Sequence, residues 1–171
     1  TVLDSARLKE ALGAHLDVDP RNVHAYIIGE HGDSELAVWS SANVSGVPLS
    51  DFCEMRGHYD HLASEKRIAD DVKNAAYNII SKKHATYYGI AMSVRRLCTA
   101  IMRDEKHILP VSSLMVGEYG LDDICISMPT IVGRNGVECR VPVSLSNEEY
   151  AELHRSADAL KDVMSNVDFE A

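Results

Sequence analysis

The sequence predicts an α+β domain of mixed helices and antiparallel sheet, and three observations carry that prediction. Helical periodicity recurs in separated blocks at the start, in the middle and at the end of the chain. Between them lie apolar, β-prone stretches, two of which are joined through Arg134-Asn135-Gly136; Asn-Gly is the strongest short hairpin signal. The strand–helix alternation of a parallel dinucleotide-binding sheet is missing. Glycines occur as Gly29-x-x-Gly32, Gly117-x-x-Gly120 and Gly133-x-x-Gly136, but none forms GxGxxG between a strand and a helix.

Taken in order, residues 2–16 form a helix with Leu8, Leu12 and Leu16 on one stripe and Ala11 alongside. Asp17-Val18-Asp19-Pro20-Arg21-Asn22 is turn material. A strand follows at 23–29, then a β-prone stretch near 36–44 that includes Trp39. A short helix occupies 48–55, before a polar connection at 56–63. Ser64-Glu65-Lys66-Arg67 opens a long helix in which Ile68, Val72, Ala75, Ala76, Ile79 and Ile80 recur at spacings of three and four. After a break at 82–86, a second helix carries Ile90, Val94, Leu97, Cys98 and Ile101. Strands are expected at 107–116, 124–132 and 137–143. Ser146-Asn147-Glu148-Glu149 is a capping box for a closing helix with Tyr150, Leu153, Ala157, Leu160, Val163 and Val167 on one face. No internal repeat, low-complexity segment or interior linker divides the chain, so residues 1–171 read as one domain.

The 171 residues suffice for one well-filled core, and 46% hydrophobic with 25% charged residues is an ordinary globular composition. A net charge of −9 argues against nucleic acid as a partner. No apolar run approaches the roughly 20 residues that cross a bilayer, so no membrane partner is expected. The four cysteines, Cys53, Cys98, Cys125 and Cys139, form no CxxC pair and read as reduced thiols of a cytoplasmic protein. Glu54, His58, Asp60 and His61 are metal-ligand types, but their polar setting marks an exposed connection and they match no zinc spacing; no metal is expected.

Two segments carry chemistry. The strand Val23-His24-Ala25-Tyr26-Ile27-Ile28 runs into Gly29-Glu30-His31-Gly32-Asp33-Ser34, which fixes one imidazole between glycines, as a proton-transfer group requires. Upstream, Asp4 and Arg7 in Leu3-Asp4-Ser5-Ala6-Arg7 are three apart and share a helix face. By residues alone, this pair reads equally as a surface ion pair in a first helical turn, and His31 as a loop histidine satisfied by backbone.

These segments resemble the catalytic half of the lactate/malate dehydrogenase superfamily, on its L-lactate dehydrogenase side, and the resemblance continues to the C-terminus. It implies that His31 is the proton donor and acceptor, that Asp4 orients it and favours the imidazolium, and that Arg7 grips the substrate carboxylate. A guanidinium suits this because its planar fork makes two parallel hydrogen bonds. The implied reaction is hydride transfer between NADH/NAD and pyruvate/lactate. The N-terminal dinucleotide-binding (Rossmann) half, which binds NAD, is expected to be absent from this chain, and the fragment alone inactive.

Thr86, in Lys83-His84-Ala85-Thr86-Tyr87-Tyr88-Gly89-Ile90-Ala91, matches the family's substrate-facing helix start, although it could equally cap that helix. Ile90 matches the apolar wall against nicotinamide, although its spacing alone makes it core. The family usually has Gly where this chain has His84. Lys9 and His24 match positions that bind fructose 1,6-bisphosphate across a subunit interface in bacterial members, with Lys where Arg is usual; otherwise they are a solvated Lys and an ordinary strand His. A homo-oligomer, a tetramer in the parent, is implied. Trp39 after the Gly29–Ser34 loop is a lactate-type arrangement; malate dehydrogenase is the alternative enzyme, and an oligomerisation or regulatory module the alternative of another class.

Overall fold

The fold is described from a computed structural model covering residues 1–167; the last four residues of the expected domain, 168–171, lie outside the described ones. Helix α1 (Val2–Leu16) buries Leu8, Leu12 and Leu16, the stripe its spacing predicts. It ends at Asp17, in the left-handed region at φ 54°. A 3-10 turn over Pro20–Asn22 follows, capped by Asp19, whose carboxylate accepts the Arg21 N–H at 2.9 Å. Strand β1 (Val23–Ile28) pairs antiparallel with β2 (Leu36–Val44), and β2 with the two-residue β3 (Val47–Pro48).

Helices α2 (Leu49–Met55), α3 (His61–Lys83) and α4 (Tyr88–Met102) then lead to a second antiparallel sheet. Its order is β4 (His107–Val116), β5 (Asp122–Gly133), β6 (Gly136–Arg140). Helix α5 (Asn147–Ser165) closes the described fold and begins at the expected capping box, with Ser146 and Glu149 each bonding the other's backbone N–H.

One core lies under α1, β1, β2, α2 and α3, around Leu8, Leu12, Leu16 and Val72. A second joins Ile28 and Val38 to Met115, Ile126 and Met128 of the other sheet, with Leu153 and Ala157 of α5. The two sheets meet at one bridge, where Gly29 and Ser127 exchange two backbone hydrogen bonds of 3.0 Å each. The catalytic-type loop therefore starts at the seam between the sheets.

Several boundaries differ from the sequence reading. Helix α3 starts at His61, inside the expected connection, because the nearest breaker is Gly57 at φ +82° and nothing between it and Ser64 opposes helix. Strand β6 ends at Arg140 and not 143; Pro142 has no N–H to continue the ladder. Helix α5 stops at Ser165, leaving Val167 beyond it. Its buried residues lie at Glu149–Ala157, while Val163 is 61% exposed. Ile90 and Val94 of α4 are also half exposed, at 48% and 53%. Periodicity gives a helix its apolar face but does not say what covers it.

His84 caps α3 in the left-handed region at φ 64° and ψ −5°, its N–H bonding Ile80 O at 2.7 Å. That backbone explains why glycine suits the position, since a Cβ there is strained. His84→Gly is expected to raise the unfolding free energy by about 0.5–1 kcal/mol, read by urea denaturation.

Candidate active site

The first turn of α1 is fastened to the end of β1. Ser5 Oγ accepts the Ile27 N–H at 2.8 Å, and Thr1 Oγ1 donates to Ile27 O at 2.5 Å. Ser5 is buried, so this small hydroxyl sets how closely helix and strand approach. Asp4 is thereby held beside the loop that follows β1.

The loop is held from several sides. Gly29 lies at φ +95°, and a Cβ on it would come within 2.8 Å of Ser156 Oγ, so both its angle and its neighbour require glycine. Ser156 Oγ of α5 accepts the Glu30 N–H at 2.8 Å and lies 3.1 Å from Ser34 Oγ. Glu30 folds back to accept from Ser34 Oγ at 2.6 Å and Ser34 N at 3.2 Å. From α3, Tyr77 donates to Asp33 Oδ1 at 3.0 Å and Lys73 donates to Asp33 O.

One carboxylate joins the chemical groups. Asp4 Oδ1 accepts from Arg7 Nη1 at 3.0 Å, and Oδ2, otherwise unpartnered, lies 3.2 Å from His31 Nδ1. The Asp4 side chain is 7% exposed and that of His31 69%. The imidazole is thus gripped by its Nδ1 edge while its body faces solvent. Glu35 Oε2 stands 3.9 Å from the same Nδ1.

Contact with Asp4, then with Glu35, raises the His31 pKa to about 9 against the opposing effect of burial. Burial alone would push Asp4 up, but contact with His31 and the charges of His31 and Arg7 outweigh it and hold the carboxyl below its ordinary value. The imidazolium is therefore the resting form at neutral pH. Ligand-type atoms of Asp4, His31 and Glu35 lie within 4.8 Å of one another, a spacing that could take a metal ion. A resident proton on His31 and the Arg7 charge on Asp4 both compete with one.

Thr86 is half-buried just before α4 and does not cap it: the cap position is Tyr87, with no side-chain cap bond. The start of α4 reaches α1 at Gly89, where a Cβ would lie 3.0 Å from Leu3 Cδ2. Thr86 lies three residues before that contact and Ile90 one residue after it. Lys9 and His24 line a separate cleft of about 690 Å³ together with Arg21, Tyr26, Lys106 and His107. Burial lowers the Lys9 pKa, and its ammonium lies 5.4 Å from the Tyr26 ring centroid.

Sequence reasoning missed Glu35, Tyr77, Lys73 and Ser156. Only Ser156 left a trace, a hydroxyl beside Ala157 on the apolar face of α5. Its partners lie more than 120 residues away, beyond the reach of any local pattern.

A buried carboxylate that holds an imidazolium on one oxygen and a guanidinium on the other defines an acid/base site suited to a small carboxylate. The whole chain agrees with that class. Residues 1–170 match the family model for the lactate/malate dehydrogenase alpha/beta C-terminal domain, and the chain belongs to this family. The L-lactate dehydrogenase of Acetivibrio thermocellus is 50% identical over 168 residues, covering 98% of this chain and 53% of that protein. That of a Thermoanaerobacter species is 48% identical, covering 98% and 54%. The ligand-bound minor L-lactate dehydrogenase of Enterococcus mundtii superimposes with a TM-score of 0.93 at 45% identity, covering 99% of this chain and 54% of that one. The chain spans about half the length of the curated relatives it matches.

Proposed function

We propose that this chain is the catalytic half of an NAD-dependent L-lactate dehydrogenase that interconverts pyruvate and (S)-lactate. The observation that carries this reading is the single carboxylate of Asp4 holding both Arg7 and His31. Arg7 takes the substrate carboxylate through its fork and fixes the carbonyl carbon in one orientation. His31 donates its proton, through Nε2, to the oxygen that becomes the hydroxyl of lactate, and takes it back in oxidation. Asp4 then stabilises the imidazolium and keeps Nδ1 in its protonated tautomer. NADH, when bound, supplies the hydride. The residues here fit its nicotinamide end: Ile90 offers half-exposed apolar surface one residue from the contact between α4 and α1. Thr86, half-buried just before α4, is the residue assigned to the substrate in this reading.

Both described sheets are antiparallel, which suits the substrate half of such an enzyme and not its dinucleotide-binding half. The cofactor-binding half is supplied by another part of the parent protein, and this fragment by itself is inactive. The basic cleft at Lys9 and His24 takes fructose 1,6-bisphosphate, whose phosphates bridge subunits and favour the assembled enzyme. The working protein is a cytoplasmic homo-oligomer, a tetramer. No helix among the described residues is long and apolar enough to cross a membrane.

The test joins the chain to its dinucleotide-binding half and follows NADH loss with pyruvate or oxaloacetate. Turnover of pyruvate is expected, with the sugar phosphate moving the pyruvate saturation curve leftward and Lys9→Ala abolishing that movement. Preference for oxaloacetate would mark a malate dehydrogenase, and no turnover of either substrate would leave an assembly module.

A further inference from the structure

We propose that Glu35 is a positioning residue for His31, a second anion set against the Nδ1 edge of the imidazole to keep the ring charged and turned outward. Its side chain is only 8% exposed although it ends a surface loop, and its Oε2 lies 3.9 Å from Nδ1. Asp4 reaches the same nitrogen from α1 at 3.2 Å, so two elements converge on one edge of the ring.

The need for a second carboxylate follows from the charges. Asp4 also serves Arg7, at 3.0 Å, so one anion would otherwise stand between two cations. Glu35 balances the site: two carboxylates face one guanidinium and one imidazolium before any substrate arrives. Coulomb attraction at about 4 Å, partly shielded from water, is large enough to bias a proton equilibrium. The other charges facing this group are the Thr1 ammonium, which opposes the imidazolium, and Lys73 of α3, whose ammonium is engaged by Asp33 O. Arg155 and Glu152 of α5 line the cleft behind Glu35.

The inference rests on His31 as the proton donor, but its test does not need turnover. The ring carbon and nitrogen shifts of His31, followed by NMR through a pH titration of this chain, are expected to give a midpoint near 9. Glu35→Gln should lower that midpoint by about half to one pH unit, roughly three- to tenfold easier proton loss, and Glu35→Asp should restore part of it. A Glu35→Gln midpoint indistinguishable from the original overturns the proposal. Should that variant fold poorly, the unmutated chain still decides. The Glu35 carboxyl carbon must show an inflection at the His31 midpoint, and its absence overturns the proposal equally. An unmoved titration removes Glu35 and leaves His31 untouched. Full turnover of a His31→Gln parent enzyme would instead remove the catalytic reading and leave the titration result standing.

Discussion

Replacing His31 with Gln in the parent enzyme is expected to lower pyruvate turnover by about 10³-fold, the scale of a lost general acid. The fold should survive, because nothing that secures the loop uses the imidazole. Ser156 holds the Glu30 amide, Ser127 pairs with Gly29, and Tyr77 holds Asp33. Stopped-flow NADH oxidation at saturating pyruvate measures the loss, with a thermal melt of the variant as the control. Activity within tenfold of the original would remove His31 from proton transfer. The pH dependence follows with the same sign. Only the charged ring can donate, so pyruvate reduction in an enzyme that keeps this pairing is supported below the raised midpoint near 9 and fades as pH climbs through it.

Glu149→Ala is the second large effect, and it falls on stability. Glu149 is 7% exposed and acts well beyond its cap. Its Oε1 accepts the Trp39 and Ser40 N–H groups of β2 at 2.7 and 2.9 Å, and its Oε2 accepts Ser146 N at 2.8 Å and the Ser40 hydroxyl. One carboxylate thus ties α5 to β2 across about 110 residues. Alanine would strip a partner from each of these donors at once, and hydrogen bonds to charged groups are the strong ones. A loss of about 3 kcal/mol is expected, read as a lower urea midpoint with an unchanged slope. The neighbouring Glu148→Ala, at an exposed position, should change stability by no more than about 0.5 kcal/mol.

The contrast between these two glutamates shows what local pattern can carry. The capping box at Ser146 and Glu149 was legible because its partners are three residues apart. The grip of the same carboxylate on Trp39 and Ser40 was not, because no local spacing encodes it. Helix α1 and strand β1 were legible from Leu8, Leu12 and Leu16 and from the apolar run at 23–28. The short β3 and the early start of α3 carry too few residues for any period to register.

The candidate site divides in the same way. Asp4, Arg7 and His31 stand out in sequence through their segments, but their convergence depends on α1 lying beside β1. The bond from Ile27 N to Ser5 Oγ secures that packing, and residue spacing could not reveal it. Glu35 follows His31 by four positions in a loop, where no periodicity says which side chains turn inward. The half-exposed Ile90 and Val94 show the converse: their stripe was readable, their cover was not.

The Gly29–Ser127 bridge lies against an interior that both sheets share. Ile28 and Val38 of the first sheet pack there with Met115, Ile126 and Met128 of the second, so a shear between the sheets has to open that common interior along with the bridge. The imidazole rides on the strand end that such a slip releases. Loss of catalytic alignment would then accompany loss of the shared packing on heating, and activity and near-ultraviolet circular dichroism should fall together.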